Sequence, residues 1–134
     1  MEKILFNGIP ELSIEDAENF DIWEVECNDN CGQAIARGKV VYLLQVARTR
    51  SGVPFHITSW NRCELWNAYV GGVDDSSHVT GWAVDIVMSD NSATNYKILE
   101  ALMHVGFPII QINTEKRYFH VDLNPDKIWW RLLL

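Results

Sequence analysis

Two short segments hold most of the residues able to do chemistry. One is Ser77-His78-Val79-Thr80-Gly81-Trp82-Ala83-Val84-Asp85, and the other is His120-Val121-Asp122. Zinc takes imidazole and carboxylate ligands, and a catalytic zinc site uses three of them while leaving a fourth position for water. His78, Asp85 and His120 are the residues that would serve. On a strand over 82–88, Asp85 shares a face with Ala83 and Val87; on a strand over 118–123, His120 shares a face with Tyr118 and Asp122. His78 precedes the first strand, and Gly81 lets the chain turn back between them. If the two strands are neighbours, the three side chains converge. Spacing alone leaves a second reading open, because a histidine and an aspartate this close in sequence more often serve as surface or hydrogen-bonding residues than as ligands.

Positioning these residues falls to a mixed set of elements. The pattern predicts a helix over 33–50, with Ile35, Val40, Leu43, Leu44 and Ala47 as its apolar stripe and Ser51-Gly52 as its end. A strand is expected over 55–60, a short helix over 62–70 stopped by Gly71-Gly72, and a polar loop over 74–77. The clearest helix is 92–105, capped by Asp90, Asn91 or Ser92, faced by Tyr96, Leu99, Leu102 and Met103, and stopped at Gly106. Strands over 107–113 and 118–123 are joined by a turn at 114–117. Nearer the start, 3–6 reads as a short edge strand, 13–18 as a helical turn capped by Ser13, and 27–32 as a polar loop. The chain closes with an apolar piece, 128–134. Helices and strands mix without a βαβ rhythm, so the fold class is α+β: a small antiparallel sheet with flanking helices in a single domain, 1–134.

Composition agrees with one globular domain. The chain has 134 residues, 48% of them hydrophobic and 22% charged, enough apolar surface to bury a core. No apolar run approaches the ~20 residues a membrane-spanning helix needs, so no membrane insertion is expected. A net charge of −7 argues against nucleic acid as a partner, because phosphate binding wants a basic face. The charge is uneven: residues 1–31 carry nine acids against the single base Lys3, and the remainder is nearly neutral. The start lacks the basic segment and long apolar stretch of a signal peptide, so synthesis in the cytoplasm is expected. The three cysteines, Cys27, Cys31 and Cys63, are an odd count that does not suggest a disulfide framework. With no fourth ligand evident beside them, they read as free thiols rather than a second metal site.

The segment Ser77-His78-x-x-Gly81-x-Ala83-x-Asp85-Ile86, followed by His120-x-Asp122, resembles the signature of the D-Ala-D-Ala carboxypeptidase family of zinc peptidases. That family includes phage L-alanyl-D-glutamate endolysins, and hedgehog domains share its fold. Other blocks follow in order. Ile57-Thr58-Ser59-Trp60-Asn61-Arg62, then Asn67 and Val70-Gly71-Gly72, resembles the family's "ITSGYRS…N…VGG". Phe20, Glu24-Val25-Glu26-Cys27 and Cys31-Gly32 resemble the "F…EF.C…CG" opening of its small branch. Together these blocks span roughly residues 20 to 123.

The resemblance implies one zinc ion held by His78, Asp85 and His120. It implies that Arg62 holds a substrate carboxylate or polarises the scissile carbonyl; a guanidinium suits either role because it is permanently charged and forks onto two oxygens. Two places where relatives carry the general base depart here: Arg117 stands three residues before His120 and Tyr118 two before it. Gln111-x-x-x-Glu115 resembles a further family segment, which makes Glu115 the candidate base, an exposed turn carboxylate being the other reading. Tyr118 is a candidate for hydrogen-bonding the developing oxyanion, and Asp122 for orienting an imidazole from behind. Ser59, Trp60, Ser77 and Trp82 lie inside the blocks and are candidates for binding substrate.

The implied function is hydrolysis of peptidoglycan stem or cross-link peptides by a monomer acting at the cell wall. A zinc ion with Asp85, Arg62 and Glu115 leaves a cationic pocket suited to a peptide ending in carboxylates. The departures at Arg117 and Tyr118 keep open a catalytically inactive zinc-containing binding or structural module, such as a phage virion component.

Overall fold

The structure is a computed structural model, and it describes residues 6–127. Four strands form one antiparallel sheet: β1 (Ile57–Ser59), β2 (Ala83–Val87), β3 (Ile109–Asn113) and β4 (Tyr118–Asp122), in the order β1-β2-β4-β3. Alternation sends Val84 and Ile86 of β2, with Phe119 and Val121 of β4, into the apolar core. That face is covered by two helices packed on each other, α2 (Gly38–Ser51) and α4 (Ser92–Val105). Two shorter helices, α1 (Ile22–Val25) and α3 (Glu64–Tyr69), complete the α+β domain. Among the described residues, no helix is long and apolar enough to cross a membrane.

The sequence pattern places α4 correctly at both ends. Asn91 caps it by accepting from the Thr94 N–H, and Gly106 ends it at φ 91°. Its buried face differs from the expected one. Ile98, Ala101, Leu102 and Val105 face the core, while Tyr96 and Met103 are exposed. The buried set follows the i, i+3, i+4, i+7 rule more closely than the expected set.

Helix α2 starts five residues later than the pattern predicts. Residues 33–37 stay extended because their backbone groups are bound elsewhere: the Gln33 carbonyl accepts from Cys27 N–H, Ile35 N–H donates to the Asn61 side chain, and Arg37 N–H donates to the Gly81 carbonyl. Ile35 therefore lies outside the apolar stripe and is exposed.

The N-terminal third also departs from expectation. Phe6 opens a 3-10 turn, Phe6–Gly8, rather than ending an edge strand; residues 3–5 of that expected strand, and the piece 128–134, lie outside the described residues. The turn expected over 13–18 is a 3-10 turn, Ile14–Asp16, and the Ser13 hydroxyl bonds the Asp16 carboxylate instead of capping a backbone N–H. Helix α1 lacks a sequence expectation; it opens with a capping box in which Glu24 accepts from the Asp21 N–H. This acidic stretch belongs to the core: Ile9, Ile14, Phe20 and Val25 are buried, while Glu11, Glu15, Asp16, Glu18, Asp21 and Glu26 are exposed.

Candidate active site

Ladder register builds one row of polar side chains across the sheet. Ser59 of β1 is opposite Asp85 of β2, Asp85 is opposite His120 of β4, and His120 is opposite Gln111 of β3. His78 comes from the loop before β2. Asn61 pins that loop by donating to the carbonyls of His78 (3.0 Å) and Val79 (3.2 Å), and Arg62 N–H donates to the His78 carbonyl at 3.0 Å. Gly81 closes it at φ 80°, where an added Cβ would stand 2.4 Å from the Ile35 carbonyl oxygen.

The outcome is that His78, Asp85 and His120 each present a ligand atom within 4.8 Å of the others. Both imidazoles are held from behind. His78 Nδ1 lies 2.8 Å from the Trp60 carbonyl oxygen, which can only accept, so Nδ1 carries a proton, and Nε2 lies 3.3 Å from Asp85. His120 Nδ1 lies 2.8 Å from Asp85 Oδ1, and its Nε2 faces Asp122 at 3.6 Å. Asp122 is itself fixed: its Oδ1 accepts from Asn124 N–H at 2.9 Å, and burial of its carboxyl is outweighed by His120, Ser77 and Asn124, which lower its pKa. Burial also opposes ionisation of Asp85, yet the two histidines hold its pKa down to about 2. Burial likewise opposes a charged His120, but Asp122 and Asp85 raise its pKa to about 9.

This donor set fits zinc. Two imidazole nitrogens and one carboxylate converge, each imidazole has an oxygen behind its outer nitrogen, and three ligands leave a position open.

Arg62 joins the cluster from the segment between β1 and α3. Its Nε donates to Ser59 Oγ (3.2 Å), one terminal nitrogen to Asn67 Oδ1 (3.2 Å), and the other lies 3.6 Å from Asp85 Oδ2. Asn67 is buried and held by the Val73 carbonyl, and a Cβ on Gly72 would come within 2.1 Å of its Oδ1. Gly72 is therefore the space that Asn67 occupies to hold Arg62.

Glu115 and Tyr118 lie at the hairpin end of the same sheet. Glu115 is exposed in the turn, and Tyr118 sits two residues from His120 on its face of β4; with Gln111, Ile112, Asn113 and Thr114 they line an open cleft of about 370 Å³. Arg117, at φ 61°, turns its guanidinium to the Ser89 carbonyl (2.9 Å) and Asp90 (3.2 Å).

Two of the expected substrate contacts are buried. The Trp60 indole is 1% exposed and packs edge-on against Phe20, so its backbone carbonyl, not its ring, serves the site. Ser77 is also 1% exposed; its hydroxyl accepts from Asn124 and supports Asp122. Trp82 is half-buried, with Phe6 (5.5 Å) and Arg37 (5.1 Å) as its ring partners. Ser59 remains at the site as an anchor of Arg62.

Sequence reasoning passed over Asn61, Asn67, Asn124 and the Trp60 carbonyl. Asn61 and Asn67 lie inside the blocks quoted above, but their hydrogen-bonding roles require knowing which loops meet.

Comparison with known proteins adds one finding. The Peptidase M15 family model matches residues 18–122, a stretch that contains every residue of the cluster. No curated protein and no solved structure gives a match. With the matched stretch covering most of the chain, and the zinc-type donor set inside it, the protein belongs to the Peptidase M15 family of zinc peptidases.

Proposed function

We propose that this protein is a zinc-dependent hydrolase of peptidoglycan stem or cross-link peptides, of carboxypeptidase or endopeptidase type, acting as a monomer at the cell wall. The observation that carries the reading is the arrangement of His78 and His120, each braced behind by an oxygen and each turning its other nitrogen toward Asp85. His78 Nε2, Asp85 and His120 Nδ1 would hold the ion. When bound, zinc supplies a Lewis acid and lowers the pKa of water.

The chain's own residues divide the remaining work. Arg62 is oriented by Ser59 and Asn67, and its terminal N–H groups bind a substrate carboxylate or the carbonyl oxygen of the scissile bond. Tyr118, on the His120 face, donates its hydroxyl to the oxygen that gains charge. Glu115, which lines the cleft with Tyr118, takes a proton from the attacking water and passes it to the leaving amine.

The test is digestion of purified peptidoglycan, with mass spectrometry of the released fragments to identify the bond. Wild type is expected to release peptide. Glu115→Gln is expected to lower kcat by about 10²–10⁴-fold with metal content unchanged. Zinc-loaded wild type that releases nothing overturns the hydrolase reading in favour of a binding module. Full activity in Glu115→Gln removes Glu115 as the base.

A further inference from the structure

The three cysteines meet in space, and they do not meet alone. Cys27, Asp29, Cys31 and Cys63 each present one ligand atom within 4.8 Å of the others, and no disulfide joins any pair. Cys63 is 36 residues from Cys27 in sequence. Asp29 is the fourth donor that the count of thiols alone did not reveal.

The surrounding loop is fixed by its own backbone and by the Asn28 side chain. Cys27 N–H donates to the Gln33 carbonyl at 2.8 Å and closes the loop between them. Asn30 at φ 63° and Gly32 at φ 86° turn that loop back on itself, and the Asn28 amide ties it to the Thr58 carbonyl at 3.0 Å. Within the cluster, Asp29 Oδ1 accepts from Cys31 N–H at 3.0 Å and Oδ2 lies 3.1 Å from Cys63 Sγ. Two sulfurs also receive backbone donors: Cys63 N–H points at Cys27 Sγ (3.3 Å) and Trp66 N–H at Cys63 Sγ (3.4 Å).

We propose that Cys27, Asp29, Cys31 and Cys63 form a second, closed four-ligand site for a thiophilic divalent ion of the zinc type. Three soft sulfurs select zinc over magnesium or calcium, and four protein ligands leave no position for substrate, so this site is structural. Cys63 Sγ donates to Asp29 Oδ2 at 3.1 Å, and hydrogen bonding from the three thiols and the Cys31 N–H holds the Asp29 carboxyl well below the usual carboxylate range. Metal takes the place of those protons: each thiol releases one to solvent, and the cluster passes from −1 to −2 as a dication joins three thiolates and one carboxylate. The ion clips the acidic N-terminal stretch to the residue that follows Arg62 in sequence.

The test begins with metal analysis of the full chain, purified under reducing conditions. Wild type is expected to hold two zinc ions. His120→Ala and Cys31→Ser are each expected to hold one, and the double variant none. Cys31 is exposed, so serine there leaves the core intact, which circular dichroism checks. Cobalt-loaded wild type and His120→Ala should both show the near-ultraviolet absorption of sulfur-to-cobalt charge transfer, a readout that decides the case even if Cys31→Ser fails to fold. A single ion lost entirely in His120→Ala, with three freely titrating thiols and no such band, overturns the proposal. So does an intact mass showing a disulfide in place of metal. One ion that survives His120→Ala but not Cys31→Ser supports this site while removing the histidine-bound one.

Discussion

His120 stands between two carboxylates that do different work. Asp85 shares its inner nitrogen with the cluster, whereas Asp122 faces its outer nitrogen and is itself held by Asn124. Groups that brace a metal-binding imidazole from behind commonly carry 10–100-fold of metal affinity. Asp122→Asn keeps the acceptor for Asn124 N–H but loses the negative charge facing Nε2. It is expected to weaken zinc binding at the histidine site by about 10–100-fold, measured by competition with a chelator. An unchanged affinity would remove Asp122 from the site. At this scale, the residue types in the two short segments were enough to nominate His78, Asp85, His120 and Asp122. Which nitrogen of each ring faces inward was not readable, because it depends on the Trp60 carbonyl and on Asp122 lying behind the rings.

Elements place the residues, and turns place the elements. Gly81 holds the junction between the His78 loop and β2 in a left-handed conformation, with the Ile35 carbonyl where a side chain would begin. Gly81→Ala therefore meets both a backbone penalty of about 1–2 kcal/mol and a clash with main chain that cannot move aside cheaply. The expected result is a loss of at least about 1–2 kcal/mol in urea unfolding, together with weaker metal binding as His78 shifts. A variant as stable as wild type would show that the loop relaxes freely. The sequence located α4 by its cap and its glycine stop, because both signals are local. It misplaced the start of α2 because Asn61 and Gly81, far along the chain, bind the backbone groups that a longer helix would have used.

At the scale of the whole molecule, the acidic N-terminal stretch and the nearly neutral remainder share one core. Phe20 is 2% exposed and touches Phe55 and Trp60, the latter supplying the carbonyl behind His78. Phe20→Ala is expected to cost about 3–5 kcal/mol, since it removes a large buried ring from that junction. Unfolding of wild type followed by tryptophan fluorescence and by circular dichroism should give coincident single transitions, as one cooperative domain requires. A separate early transition would mean that the acidic stretch is an independent appendage. Its charge is compatible with burial because the acids alternate outward while Ile9, Ile14, Phe20 and Val25 turn inward.

The sequence by itself determined the chemistry available: two histidines and an aspartate of zinc-ligand type, an arginine, and ordered blocks matching a peptidase family over most of the chain. Those are properties of residue type and order, which one dimension carries. Tertiary structure decided what meets. It buried Trp60 and Ser77 where substrate contacts were expected, turned Arg62 onto Asp85 through Ser59 and Asn67, and brought Asp29 to three thiols that had looked one ligand short. Each of these depends on loop closures and strand pairings between residues far apart in sequence, and such contacts leave no local signature in the chain.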